Sequence, residues 1–551
     1  MRHVPPQQVA HRIRLRTKRR LYAAAPALTE RRYNGSSGDF PGWPVDFIPL
    51  DAVTESFGRP SLEENLKGNF KLLNHRHHLG RPIDWQHSAA TQLWRYHLHY
   101  FDWAWVVFGD PSEDAVNAVA ELYREWSAAN PLGRWDAWSP YVVSVRAWTL
   151  CSIARFLRRD EELAKRLDAD LVRHARYLRA NVEFDVGGNH LIKNLKGLVG
   201  LAVFLQDEKL LRFAGRNLME QVDRQTLTDG GHFELSPGYH AQVLGDIIDV
   251  QGLLKHSGLL SGLAERLKAA AASMRLWLSA LVQPDGSIPM LNDSMSVSIE
   301  RRTALGVCDA SRAPVTVLEA SGYVVVRPSL DVCLVMDVGD PCPPELPAHA
   351  QADALSITLQ VGGRPVLVDT GTSVYGAGAR RQYERSTRAH NTVEIDGKDQ
   401  TEVWGAFRAG RRHRGTLCAV ERSADGVEVT ASHDGYRFLR GRPVHHRTVR
   451  VSVGKVQIED AIAGRGSHTM RQFWHLAEGS GFQADRGVAF SGQAQLAIDA
   501  SDQAVLDWVA PGSHDLGSVA RGHNERIDAP CLVAKQVRTR LPWVIGATVT
   551  W

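Results

Sequence analysis

The feature that most constrains this chain is a change of hydrophobic period near residue 320. From about 88 to 285 the apolar residues recur at helical spacing. Leu191, Leu195, Leu198, Ala202 and Leu205 fall at steps of four and three and lay one apolar stripe along a helix. The same spacing predicts helices over roughly 90–108, 113–129, 140–158, 160–181, 208–226, 238–257 and 262–283. Beyond 320 the pattern alternates: Leu355, Ile357, Leu359 and Val361, a Gly362–Gly363 turn, then Val366 and Val368. Turn signals at Asp396–Gly397, Asp425–Gly426 and Asp434–Gly435 carry the strand pattern toward Trp551. A chain of 551 residues also exceeds the ~250–300 residues that one core sustains. These patterns predict an α+β multidomain protein: an irregular segment over 1–60, a helical domain over 61–310 and an antiparallel β-sandwich over 315–551. Serial helices with short connections make the helical domain a stack of hairpins, either a solenoid or a closed toroid. The segment PDGSIPMLND (284–293) reads as the hinge between the halves.

Charge narrows the function. A formal net charge of +4 does not indicate a general nucleic-acid binder. The one dense basic run, Arg12 to Arg20, reads as a solvated arm, or else as a contact for a membrane surface or polyanion. No apolar run approaches the ~18 residues of a membrane span. No apolar h-region follows the N-terminal basic residues, so no secretory signal is visible; this predicts a cytoplasmic protein, or a periplasmic one if the start site is misassigned. The cysteines Cys151, Cys308, Cys333, Cys342, Cys418 and Cys531 are scattered without a CxxC pair, unlike a disulfide framework or zinc ribbon. Tryptophan is frequent, with 15 copies; flat aromatic faces can line sugar sites, although most Trp serve as core.

Candidate chemical residues gather at element ends. Asn189–His190 follow two glycines in GGNHLIKNLKGL, Tyr239 ends DGGHFELSPGY, His349 precedes a strand in PAHAQADALSITL, and His390 lies in RSTRAHNTVEIDG. Asn, His and Tyr are what a base-catalysed elimination needs: a group to polarise a carboxylate, a base for an activated C–H, and an acid for the leaving oxygen. Asn189–His190 and Tyr239 fall in the helical half, His349 and His390 in the strand-rich half. Because clefts between domains are favoured sites, Asn189, His190, Tyr239 and His349 are expected to converge on one interdomain cleft. Asn189 is expected to cap the next helix, where the helix N-terminus itself favours an anion. Ser236–Pro237 resemble an N-cap and an N1 proline, which places Tyr239 in a first helical turn. Each of these residues also has a purely structural reading: a helix cap, a buried histidine, a packed aromatic.

The blocks LWRYHLHYFDWAW (93–105), WSPYVVSVRAW (138–148), GGNHLIKN, DGGHFELSPGYH, PDGSIPMLND, HAQADALSITL, LVDTGTSVYG and RAHNTVEIDG resemble, in order, those of the heparinase II/III family of polysaccharide lyases, related to alginate lyases. The resemblance implies an N-terminal (α/α) toroid followed by a β-sandwich. It also implies cleavage of a uronate-containing glycan by β-elimination, in which the proton at C5 is removed and the C4–O bond breaks. By resemblance Asn189 binds the carboxylate, and His190, His349 and Tyr239 are catalytic. Lys193, Glu234, His240, Arg388 and His390 stand as substrate-binding or supporting residues, and Lys196, Arg146 and Arg95 as further sources of positive charge. Zinc-bearing members carry three ligands at positions that here hold Gln351, Asp369 and His390. Gln is a poor zinc ligand, so no metal cofactor is expected, and His390 is left to bond Asp369 or contact substrate. Lys193 stands where some relatives have an acid, on the face of His190 one turn on, and is expected to change the charge of the cleft. The implied partner is an anionic polysaccharide or oligosaccharide; the oligomeric state is not legible. Two alternatives remain: an enzyme of the same fold in capsule or exopolysaccharide biosynthesis, suggested by the lack of a visible export signal, and a non-catalytic glycan-binding protein, suggested by Gln351 and Lys193.

Overall fold

The computed structural model describes residues 6–54, 59–499 and 504–551. It contains two compact units, Met1–Thr226 with Gln242–Ala272, and Leu227–Ala241 with Ser273–Trp551. The boundary between these units falls inside two helices, Pro237–Ser257 and Ser261–Leu281.

The first unit is helical. Its helices include Glu113–Ala129, Pro140–Leu157, Glu161–Ala180, Gly188–Leu205 and Glu208–Gln225, close to the predicted spans. Their starts are set by local chemistry: the side chains of Ser112, Asp160 and Asp207 each accept a hydrogen bond from the first-turn backbone, at Ala115, Leu163 and Leu210. The predicted helix over 90–108 is broken. Phe101 adopts φ 69° and ends the helix Gln92–Tyr100, and a 3-10 turn Asp102–Trp105 follows. Gly188–Leu205 carries more than one apolar stripe. Val199, Leu201 and Val203 are buried as fully as Leu195 and Leu198, because this helix packs against Pro140–Leu157, Glu161–Ala180 and Glu208–Gln225 at once. Gly200 permits one of these approaches: a Cβ there would come within 2.9 Å of the Trp148 ring.

The N-terminal segment is not irregular. Pro6–Ala24 and Pro26–Tyr33 are helices, and the basic run lies on the first of them. Lys18 Nζ donates to the Ala180 carbonyl at 2.6 Å and Arg12 to that of Asp185 at 3.3 Å. The run thus supplies cations to the C-terminal end of Glu161–Ala180, where the helix dipole favours them. Leu15 and Tyr22 anchor it by burial. Among the described residues no helix is long and apolar enough to cross a membrane, and all six cysteines are free.

The second unit is built on antiparallel sheets. A five-stranded sheet runs Val315–Leu318, Tyr323–Ser329, Val332–Asp337, Ile357–Val361 and Arg364–Leu367. An eight-stranded sheet has the spatial order Gly415–Ser423, Gly426–His433, Val444–Ser452, Lys455–Ala463, Trp543–Thr550, Ala494–Asp499, Val488–Ser491 and Gly481–Gln483. A four-stranded sheet joins Val505–Val509, Cys531–Arg540, Ser467–His475 and Val393–Ile395. One apolar cluster unites Val324, Leu334, Ile357 and Leu359 with Val449, Ile458, Trp474 and Val549, which makes the sheets a sandwich. Gly362 and Gly363, at φ 60° and 68°, make the tight hairpin turn that the sequence announced. The inner strands do not alternate. Val332–Asp337 and Ile357–Val361 are buried on both faces, and Arg327 of the neighbouring strand donates to the carbonyls of Ala280 and Val282.

PDGSIPMLND is no hinge between the units. It lies within the second unit, where Asp285 N donates to Gln360 of the five-stranded sheet and Gln283 N to Ser287 O. Its last residue, Asp293, is fully buried and stands at the centre of the candidate site.

Candidate active site

Tyr239, on the helix Pro237–Ser257, and His349 fall in the same compact unit. Ser236 Oγ accepts from Tyr239 N at 3.4 Å and Pro237 opens the helix, so the capped first turn is formed as expected. The Tyr239 and His349 rings stack with centroids 3.9 Å apart and planes tilted by 32°. Tyr239 keeps partial exposure while His349 is 7% exposed. Carboxylates face both imidazole nitrogens: Asp293 Oδ2 lies 3.2 Å from Nδ1, and Glu234 Oε2 lies 3.6 Å from Nε2. Glu234 is fully buried, with its carboxylate turned to His349.

Asp293 was not legible as a site residue, nor were Arg381, Thr372 and Tyr375, which hold it together with Gln351. Arg381 grips both of its oxygens, with Nη1 at 2.6 Å from Oδ1. Gln351 Nε2 donates to Oδ1 at 3.0 Å, Thr372 Oγ1 does so at 3.3 Å, and Tyr375 Oη donates to the Asp293 carbonyl at 3.1 Å. Burial pushes the Asp293 carboxyl up, but the Arg381 guanidinium and His349 outweigh it and hold the group well below the usual carboxylate range. Tyr239 bonds the Tyr375 side chain, so Tyr239, Tyr375, Asp293 and His349 form one connected set.

The side chains at the three family ligand positions are bonded to protein groups. The Gln351 amide is turned to Asp293 and Thr372. Asp369 and His390 are spent on each other, with Nδ1 to Oδ2 at 2.7 Å. Among the described residues no group of three His, Cys, Asp or Glu is placed to hold a metal. His390 is fully buried. Its block is fixed from behind: Arg447, paired with Asp460, donates to the carbonyls of Asn391 and Leu355.

Asp353 lies in the same buried region. Burial pushes its carboxyl up to about 6, opposed by His390 and reinforced by Asp369. A folded-state value above the ordinary 3.8 means that the native state gains relative stability as pH falls from 6 and loses it as pH rises through 6. Asp353→Asn is therefore expected to raise the melting temperature more at about pH 7.5 than at about pH 5. Equal shifts at both pH values would contradict the assignment.

In the helical unit Gly187, not Asn189, is the N-cap of Gly188–Leu205; its φ of 74° suits glycine. Asn189 occupies the second helical position and is 4% exposed. His190 stacks on Tyr141 at 4.5 Å, and its Nδ1 lies 3.4 Å from Glu183 Oε2. Glu183 is fixed in turn by Asn194, which donates to its carboxylate and accepts from its backbone N–H. Lys193 does not add free charge: its ammonium donates to buried Asp246 at 2.6 Å, and Lys196 bonds both Asp246 and Asp249. Position i+3 gave the helix face but not the acids waiting on Pro237–Ser257. Arg146 is fully buried, sandwiched by Trp126 and Trp138 and bonded to His174; Arg95 pairs with Asp136. Both are structural.

His240 is also structural. Its Nδ1 accepts from His232 N at 3.0 Å, its Nε2 donates to Met274 O at 2.9 Å, and its ring stacks on Trp277. Burial pushes its pKa down to about 3, which keeps it neutral. His240→Ala is expected to lower stability by about 1–3 kcal/mol through the unpaired N–H and carbonyl left behind, as read by denaturant unfolding. A stable variant with altered substrate affinity would contradict this. Arg388 is the one member of the proposed binding set that is exposed, resting over Tyr383.

Comparison with known proteins agrees with this fold. The profile of the Heparinase II/III N-terminus matches residues 48–305, and that of the Heparinase II/III-like C-terminal domain matches 310–527. The chain belongs to the heparinase II/III-like family. It is 24% identical over 400 residues to a heparin-sulfate lyase of Pedobacter heparinus, covering 64% of this chain but only 59% of that protein. It is 23% identical over 500 residues to a heparin-sulfate lyase of Bacteroides thetaiotaomicron, covering 76% of this chain and 68% of the relative. It is also 23% identical over 504 residues to the FtsZ-localized protein C of Caulobacter vibrioides, covering 86% and 83% of the two chains. Among solved structures, one of heparinase III superposes with a TM-score of 0.75 at 19% identity, covering 96% of this chain and 89% of that one. The fold class expected from the change of period, helices followed by an antiparallel sandwich, is the one that structure shares.

Proposed function

We propose that this protein is a polysaccharide lyase that cleaves a uronate-containing glycan of the glycosaminoglycan class by β-elimination. The observation that carries the reading is the Tyr239–His349 stack, in which two buried carboxylates fix the imidazole. The phenol and imidazole are held in reach of one sugar unit, as acid–base catalysis requires. In the step proposed, the C5 proton passes to a base of this pair, the C4–O bond breaks, and the leaving oxygen takes a proton from the Tyr239 hydroxyl. The product is a C4–C5 unsaturated uronate. Carboxylate neutralisation, which makes C5–H acidic, is assigned to Asn189 by resemblance; Asn189 stands in a helix first turn, where backbone N–H groups favour an anion. The names of the Pedobacter and Bacteroides relatives support the substrate class.

No zinc is proposed for the reaction, since Gln351 is committed to Asp293. Protein dialysed and analysed for metals is expected to hold no stoichiometric zinc; one zinc per chain would overturn this. A second reading draws on the Caulobacter relative, whose name is not that of an enzyme and whose match covers more of both chains. In it the scaffold binds a glycan without cleaving it. Incubation with a panel of uronate glycans, read by the ultraviolet absorbance of the new double bond, separates the two: product formation supports the lyase, and binding without product supports the alternative.

A further inference from the structure

Two large aromatic side chains of the second unit stand in solvent on one short hairpin. Val403–Trp404 pairs with Arg408–Ala409, and between them Trp404 and Phe407 are each 44% exposed, next to exposed Arg408. Most other tryptophans of the chain are buried. Paired exposed aromatics are costly unless something covers them.

The hairpin is not loose. Three side chains of Ala379–Glu384 and its C-cap hold its backbone. Arg381 donates to Ala406 O at 3.1 and 3.0 Å, Gln382 to Val403 O at 2.8 Å, and Arg385 to Gly405 O and Arg408 O. Arg381 is the residue that grips Asp293, and Arg385 also donates to Ala350 O, next to His349. The Phe407 ring lies nearly parallel to Tyr375, 6.1 Å away and tilted by 19°. The Arg381 guanidinium lies against both rings, at 5.1 and 5.7 Å. Tyr375 in turn is bonded to Tyr239. The exposed aromatic edge is therefore one ring removed from the candidate catalytic hydroxyl and rigidly joined to it.

We infer that the 403–409 hairpin is a sugar-binding subsite: Phe407 and Trp404 offer flat apolar faces to a pyranose ring of the glycan, and Arg408 meets its anionic group. The inference rests on the proposed lyase reading and names where a neighbouring sugar unit is held. Aromatic faces supply large contact area at little entropic cost, and an arginine fork matches carboxylate or sulfate. Rigid elements that present such groups beside reacting atoms position substrate rather than react with it.

The test uses the full chain with Tyr239→Phe, titrated with uronate oligosaccharides by calorimetry, alone and combined with Phe407→Ala, Phe407→Leu or Arg408→Ala. Each addition is expected to weaken affinity about tenfold, as the loss of one buried contact does. Phe407→Leu keeps apolar bulk without the flat face and guards against a folding artefact. In parallel, Phe407→Ala in the otherwise native chain is expected to raise KM rather than lower kcat. Unsaturated product from the native chain together with unchanged affinity in all three variants would overturn the subsite and leave the lyase reading standing. Absence of both product and binding across the panel would overturn both.

Discussion

Tyr239→Phe is expected to lower turnover by about 10²-fold or more, the usual worth of a positioned acid–base group. The substitution removes one hydroxyl and keeps the ring, so the 3.9 Å stack on His349 and the capped helix turn should survive. The loss should fall on kcat more than on KM, because the proton reaches the leaving oxygen in the transition state. A melting curve close to that of the native chain is part of the expectation. Turnover unchanged by the substitution would remove Tyr239 from the chemistry.

Asp293→Ala is expected to have the largest effect on stability, about 3–5 kcal/mol, because it leaves the Arg381 guanidinium buried without its partner. Gln351, Thr372 and His349 would lose a shared acceptor at the same time. Denaturant unfolding followed on the second unit reads this directly, and a loss under about 1 kcal/mol would show that the network is held elsewhere. Replacing both partners, Asp293→Leu with Arg381→Met, should recover much of the stability, since two apolar groups carry no desolvated charge. Activity should not recover, because His349 remains without its Nδ1 partner. The pH sign is also fixed. A carboxyl depressed below its ordinary 3.8 contributes stability above that value and loses it only as pH falls through the lower folded value, so the Asp293 network should outlast mild acid.

The legible parts were those written locally. Helix starts at Ser112, Asp160 and Asp207 follow from capping chemistry within one turn of chain, and the Gly362–Gly363 hairpin from backbone freedom within two residues. What escaped depended on distant partners. In the basic N-terminal run Arg14, Arg16 and Arg20 are exposed, as a solvated arm requires, while the carbonyls that Arg12 and Lys18 reach, after and at the end of Glu161–Ala180, were out of sight. Proline and glycine made 284–293 look like a hinge, although its polar groups bond the sheet and deliver Asp293 to the site. Tyr239 opens a helix, as its sequence suggests, but its packing partners His349 and Tyr375 are far along the chain. Lys193 and His240 read as site groups from their neighbours in sequence; both are satisfied by buried partners, Asp246 in one case and Met274 in the other. The exposed pair on the 403–409 hairpin had no signal at all, because a single sequence does not say which aromatics reach solvent.

The central claim is elimination, and the mass of the product tests it most directly. The native chain should be incubated with the uronate glycan that it degrades, and the new non-reducing end weighed by mass spectrometry. Elimination predicts an end one water lighter than hydrolysis gives, absorbing in the ultraviolet, and greatly reduced in amount with Tyr239→Phe. A hydrated, saturated end, or no new end from any uronate glycan, would contradict the account.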